Sequence, residues 1–280
     1  MNADIRTRTL LGKSLVRGLR DLAILCLVLF GIAGRVDWPA AWLVVSIFAV
    51  HIFLSGWWLF RRDRELFEER LTPAANVPRW DRLIARGNRI LLPIFLATAA
   101  LDAGRFRWSA MPVVVRAIAA AAVVAAIAVS WWCGAANHFL SDKTRIQSER
   151  GHAVVEHGPY RVVRHPLYAS RIVLIIGTAL TLGSWIALIP AAVNAALLVL
   201  RTSLEDRMLT TELPGYRRYT KHVPERLVPG LWVTTTGSHR QFKHPVKPGR
   251  VTISGHLGDD MPKGTFASVK RQAGWKGPQP

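Results

Sequence analysis

The sequence predicts an all-α integral membrane protein of about six transmembrane helices, including a C-terminal helical hairpin, followed by a small, basic α+β-like tail. Three observations carry this. Half of the 280 residues are apolar, yet Lys and Arg total 37 against 18 Asp and Glu. The apolar residues gather in long uncharged runs between positions 22 and 200 and thin out after Trp232. The basic residues cluster on one side of those runs. A chain this apolar can bury ample surface, which argues against disorder. Runs of this length argue against a soluble globule.

Uncharged stretches run from Trp38 to Phe60, 23 residues, and from Ala117 to Ser141, 25 residues. Each is long enough to cross a hydrocarbon core of about 30 Å, which takes about 20 helical residues. The shorter runs Leu22–Gly34 and Ile90–Leu101 span by borrowing flanking residues such as Leu19 and Ala103. A basic start followed by an apolar run also describes a cleaved signal peptide. Here Gly31-Ile32-Ala33-Gly34 leads straight into further spans, so the first run is read as a span. Ile172–Leu200, at 29 residues, is too long for one crossing and short for two. Gly183-Ser184 near its middle and Pro190 just after make it a tight helical hairpin. Cys26 and Cys133 both fall inside spans, which makes them packing residues rather than a disulfide framework.

Counting Lys and Arg between the spans orients the chain. The N-terminal tail has five, the stretch 61–89 eight, the stretch 141–171 six, and everything from Arg201 onward fourteen. Arg35, Arg105 and Arg107 lie on the opposite face. This bias places both termini in the cytoplasm, with the protein a multi-pass component of the cell (inner) membrane.

The hairpin decides which residues can meet. The segment before it reads SDKTRIQSERGHAVVEHGPYRVVRHPLYASR, and the segment after it reads RTSLEDRMLTTELPGYRRYTKHVPERLVPG. A single span would put these on opposite sides of the membrane. A turn at Gly183-Ser184 returns them to the same face, with Arg171 and Arg201 as the feet of one hairpin. Arg201 and Glu205, at i and i+4, share a helix face.

The pattern H-x-V-V-x-x-G-P-Y-x-x-x-R-H-P-x-Y, about thirty apolar residues, then R-x-x-x-E-D resembles the isoprenylcysteine carboxyl methyltransferase family. That family belongs to a wider group that includes phospholipid N-methyltransferases. The resemblance covers roughly residues 112–230, including Pro214-Gly215-Tyr216, Tyr219 and Arg226-Leu227-Val228-Pro229. It divides the chain into N-terminal helices (1–110), a catalytic region (111–232) and a tail (233–280). It implies an S-adenosyl-L-methionine site on Gln147, His152, Ala153, Val154, Val155, Tyr160, His165, Pro166, Leu167, Tyr168 and Glu205. It also implies that Arg201 holds a substrate carboxylate. Many relatives have Glu-Glu where this chain has Glu205-Asp206, and the alignment from Arg201 makes Glu205 the ligand. The acceptor so implied is a lipid-linked, prenylated or otherwise apolar molecule in the membrane.

These residue types suit methyl transfer. A carboxylate such as Glu205 can accept from an ammonium or ribose hydroxyls, and backbone groups of His152–Val155 can bond an adenine edge. Tyr160 or Tyr168 can pack against the cofactor, with cation–π attraction to a sulfonium. A carboxylate acceptor needs no general base, so orientation and desolvation do most of the work. Arg201 suits such a carboxylate as a bidentate partner. An amine acceptor would need a base, for which His165 is the candidate. Membrane sterol reductases that use NADPH share a similar motif, and the basic residues of 61–89 would then meet a dinucleotide phosphate. His152, His157 and His165 lack the regular spacing of a zinc site.

The tail reads differently. It has Gly/Pro turns, an alternating run Arg250–Ser254 and a helical end near Thr265–Ala273, read as two strands and a helix. Gly237-Ser238-His239, Gln241-Phe242-Lys243-His244-Pro245, Gly249-Arg250-Val251-Thr252, His256 and Gly264-Thr265…Ser268…Gln272-Ala273-Gly274 resemble the HicA family of toxin ribonucleases. That resemblance implies a double-stranded-RNA-binding-like fold with His239 catalytic. The family's first helix is missing, and a sheet without its packing helix loses much of its core. The tail is therefore expected to be a fused remnant rather than a nuclease, despite basic residues that could meet phosphates.

Overall fold

Each predicted span falls on a helix of the computed structural model, which describes residues 2–72, 76–228, 234–236, 239–242, 251–254 and 263–273. Helix α1 (Asn2–Cys26) widens into a π-helical turn over Leu27–Gly31. Helix α2 (Pro39–Arg62) opens on a proline, whose fixed φ suits a first helical position, and closes on Arg61-Arg62, cations that complement its C-terminal dipole. A short helix α3 (Arg64–Leu71) follows, capped by Asp63, whose carboxylate accepts from the Leu66 N–H at 2.9 Å. Then come α4 (Arg79–Ala99), continued as a π-helical stretch over Ala100–Phe106, and α5 (Val113–Ala136). Helices α6 (Pro166–Leu182) and α7 (Leu188–Glu212) form the hairpin, and α8 (Tyr216–His222) follows.

Helices α2, α5, α7 and the α4 unit through Phe106 are long and apolar enough to cross a membrane, which makes the chain an all-α integral membrane protein. Helix α6 is shorter, and the apolar end of α1 packs into the same core. Cys26 and Cys133 are both free thiols, Cys133 buried. Arg116 corrects the charge count: it sits in the first turn of α5 and joins Arg35, Arg105 and Arg107 at the same end of the bundle.

The hairpin forms where Gly183-Ser184 places it. Gly183 takes φ 90°, a left-handed conformation open to glycine and costly for other residues. Its N–H reaches the Leu180 carbonyl and the Ser184 N–H reaches Ala179, both at 3.1 Å, which satisfies the last carbonyls of α6. Ser184 Oγ then accepts from the Ala187 N–H at 3.0 Å, starting the return helix. The turn is tied down by Asp102, which is buried and accepts from Ser109 Oγ (2.6 Å), Ser184 Oγ (2.5 Å) and the Ser109 and Ile186 N–H groups.

Helices α5 and α6 approach closely because Gly177 has no side chain. A Cβ there would lie 2.8 Å from Val123 Cγ2 and 3.3 Å from the Ala119 carbonyl oxygen. Small residues serve this purpose where lipid offers no hydrophobic drive for helices to associate. Lower down, Ser130 and Ser170 share a hydrogen bond of 2.9 Å across the same seam. Gly177→Val is expected to cost about 1–3 kcal/mol through overpacking, read as a lower melting temperature in detergent.

In the tail, three strands replace the two expected. Strands β1 (Thr234–Thr236), β2 (His239–Phe242) and β3 (Val251–Ser254) form an antiparallel sheet in the order β1-β2-β3. Three threonines are too short a run to show a period in sequence, so β1 went unread. Helix α9 (Lys263–Ala273) packs on β3, where Gln272 Oε1 accepts from the Thr252 N–H at 2.8 Å. The expected residues Gly237, Ser238, Lys243–Pro245, Gly249, Arg250, His256 and Gly274 lie outside the described residues. His239 opens β2, opposite Thr236 on one side and Ser254 on the other.

Candidate functional site

The site is built from the loop between α5 and α6, the first turn of α6, and the emerging half of α7. Its loop is pinned from outside by α3. Arg145 makes a two-pronged bond to Glu69 (3.2 and 3.0 Å), Arg150 meets Glu65 at 3.3 Å, and Arg70 donates twice to the Leu140 carbonyl (2.9 and 3.2 Å). Arg70, one of the basic residues expected to serve a dinucleotide phosphate, is thus engaged with the loop backbone. Arg79, Arg82, Arg86 and Arg89 stay exposed.

The second support is Asp206, buried at the centre of a polar cluster. Its Oδ1 lies 2.8 Å from Arg164 Nε, 3.1 Å from His165 Nε2 and 2.9 Å from the Tyr216 hydroxyl, which donates. Its Oδ2 meets Arg164 Nη2 and Arg226 Nε, both at 3.0 Å. Arg164 Nη1 also caps the Val223 and Pro224 carbonyls at 2.7 Å. The Arg164 and His165 N–H groups donate to the Glu225 and Arg226 carbonyls at 2.9 Å. The Tyr219 hydroxyl donates to the Tyr160 carbonyl at 2.7 Å. The trailing segment therefore holds the Arg-His-Pro turn in place.

Between these supports lies a cavity lined by His152 to Val155, Tyr160, His165 to Tyr168 and Glu205. Ten of the residues expected from sequence are so brought together, from both sides of the hairpin. Among the described residues, the N–H and C=O groups of Ala153, Val154 and Val155 make no internal hydrogen bond. Ala153 is exposed and Val154 and Val155 are half-buried, so these groups are open to water or to a ligand. Glu205 Oε2 accepts from the Tyr168 hydroxyl at 2.6 Å and from Thr144 Oγ1 at 3.0 Å. Its other oxygen makes no hydrogen bond among the described residues. The His152 ring stacks on Phe139, with centroids 4.7 Å apart, and its Nδ1 accepts from the Gln147 N–H at 3.3 Å. Burial pushes the His152 pKa below its ordinary value, consistent with that accepting, neutral ring.

Two expected residues stand elsewhere. Gln147 is 1% exposed and does not line the cavity; its Nε2 donates to the Phe139 carbonyl at 2.7 Å, and its Oε1 accepts from Arg150. Both of these bonds are to the loop that carries it. Arg201 does not line the cavity either. Its Nε is paired with the buried Asp81 at 2.8 Å, and its Nη2 donates to the Asp142 carbonyl at 2.9 Å. Its guanidinium carbon sits 5.5 Å from the Tyr168 ring centroid. Sequence reasoning missed Asp81 and Asp206. Asp206 was read as a shortened spare acid, whereas the two neighbours divide the work: Glu205 faces the cavity and Asp206 holds its walls. The available signal for Asp81 was an acid alone among the four arginines of 79–89. Asp81→Asn should cost about 1.5–3 kcal/mol in a detergent melt, the loss of a charge-assisted bond to a buried guanidinium.

Among the described residues, no three His, Cys, Asp or Glu side chains converge as metal ligands would. Residues 114–211 match the model of the isoprenylcysteine carboxyl methyltransferase (ICMT) family. That match takes in α5, the hairpin, Glu205 and Asp206, and stops before Tyr216. Residues 232–275 match the model for the HicA toxin of bacterial toxin-antitoxin systems. The solved structure of the eukaryotic intramembrane Ras methyltransferase ICMT without a monobody is similar at 15% identity, covering 76% of this chain and 75% of that one, with a TM-score of 0.39. A likeness at that level decides nothing about the site. No curated protein matches the chain.

Proposed function

We propose that the chain is an S-adenosyl-L-methionine-dependent methyltransferase of the membrane, acting on a carboxylate of a lipid-linked or apolar acceptor. The observation that supports this is one cavity lined by both halves of the motif, Glu205 from one and Ala153–Val155 from the other. That donor and acceptor set fits the methyl donor: a carboxylate for an ammonium or hydroxyls, peptide groups for an adenine edge, and aromatic walls for the rest. The enclosed space is only about 90 Å³, so a nucleoside-sized ligand would also fill the open mouth above it. The bound cofactor would supply an electrophilic methyl group. The chain's part is to orient the acceptor and exclude water, which suits a carboxylate that needs no base. His165 Nε2 lies 3.1 Å from Asp206, which leaves Nδ1 as the nitrogen that could serve as the base an amine acceptor would require. Arg201, fixed by Asp81, keeps its Nη1 free of those bonds for an acceptor carboxylate.

Incubation of the purified protein with labelled methyl donor and membrane extract tests this, followed by mass spectrometry of the product. The expected label is released by mild base, as a methyl ester is. A base-resistant label would overturn the carboxylate reading. The tail is proposed to be dispensable: deletion of residues 233–280 should leave methyl transfer within about twofold of the full chain, below the 1 kcal/mol scale of a lost contact. His239→Ala should leave growth on overexpression unchanged, and His239-dependent RNA cleavage would refute the remnant reading. Both termini are proposed to face the cytoplasm with the site, at the cell (inner) membrane.

A further inference from the structure

At the end of the bundle away from the candidate site lies a second cavity, of about 480 Å³. Helix α6 alone separates the two by about 25 Å, at 1.5 Å per residue. Its lining combines apolar residues, Trp38, Ala103, Met111 and Leu182, with Arg35, Arg107 and Arg116. It touches the start of α2, the loop before α5 and the hairpin turn at Gly183. The four arginines at this end are Arg35, Arg105, Arg107 and Arg116, so three of them converge on one cavity.

The local acids do not balance these cations. Asp37 is taken by Arg35, at 2.9 and 3.0 Å. Asp102 is buried and engaged by Ser109, Ser184 and the Ile186 N–H. Arg107 and Arg116 have no carboxylate within ion-pair distance among the described residues; Arg116 Nε reaches only the Thr181 carbonyl, at 3.4 Å. Arg107 moreover holds φ 54°, a left-handed conformation that a non-glycine residue adopts at some cost. Two guanidinium groups without an ion-pair partner, in a cavity that apolar residues also line, match a ligand with a phosphate and an adjoining hydrocarbon part.

We infer that this cavity binds a phosphate-bearing anion, gripped by Arg107 and Arg116, with an anionic lipid head group or a soluble phosphate as its source. The test is arginine labelling of the full chain with phenylglyoxal in a maltoside detergent, which carries no phosphate. Arg105, Arg107 and Arg116 are followed by peptide mass spectrometry. Added phosphatidylglycerol is expected to slow labelling of Arg107 and Arg116 at least about threefold, the protection given by two-thirds occupancy, while Arg105 is unchanged. In Arg107→Gln, the protection of Arg116 is expected to be lost. Equal protection by inorganic phosphate alone would assign the site to a soluble phosphate group. No protection in either arm, or equal slowing at Arg105, would overturn the inference.

Discussion

Asp206→Asn is expected to lower the stability of the protein by about 3–5 kcal/mol, the range for removing one partner of a buried ion pair. The asparagine keeps the shape but presents an N–H₂ where Oδ2 now receives Arg164 Nη2 and Arg226 Nε, both at 3.0 Å. Donors would then face donors, and the Arg164 guanidinium, 7% exposed, would be left as an uncompensated buried charge. For a chain of this size the corresponding fall in melting temperature is on the order of 10 °C. Asp206→Glu keeps the charge and crowds the cluster with one methylene, at about 1–3 kcal/mol. The order wild type, Glu, Asn is therefore expected in a detergent melt. An Asn variant as stable as wild type would show that the arginine cluster is held by its carbonyl contacts alone.

The hairpin was legible because a run of 29 uncharged residues can fold back only where the helix is easily ended, and Gly183-Ser184 stands there. The lining of the site was legible for a related reason. Once the turn is placed, His152–Tyr168 and Glu205 must share one face, whatever the detail of their contacts. What sequence could not show was pairing at long separation. Arg201 and Asp81 are 120 positions apart, and neither residue's local pattern names the other. The same holds for Gln147, which the family resemblance placed at the cofactor. Its burial under Phe139 depends on a loop that α3 fixes from a distance, through Glu65, Glu69 and Arg70. Spans follow from local hydropathy, whereas polar networks follow from packing. The pairing of Arg201 matters most, because an arginine already paired with a carboxylate can offer a substrate only its remaining edge.

Glu205→Gln is expected to weaken S-adenosyl-L-methionine binding about 10- to 100-fold, because charge-assisted hydrogen bonds contribute about 1.5–3 kcal/mol and each 1.4 kcal/mol is tenfold. Its internal partners are two neutral hydroxyls, Tyr168 and Thr144, both donating to Oε2. A glutamine oxygen can still accept from both, with weaker, neutral bonds, so the ligand-free protein should keep its fold and melt at most several degrees below wild type. What the exchange removes is the negative charge, which also acts on Arg201 and His152, and the second accepting oxygen, which is left for a ligand. Isothermal titration of the purified protein measures the loss, and a melt of the same samples confirms that the fold is intact. Thermal shift with NADPH in parallel separates the reductase alternative, since a ligand that binds only the native state raises its melting temperature. Stabilisation of the wild type by NADPH but not by S-adenosyl-L-methionine would overturn the methyltransferase reading. Unchanged S-adenosyl-L-methionine affinity in Glu205→Gln would show instead that the cofactor's charged and hydroxyl groups lie elsewhere in the cavity.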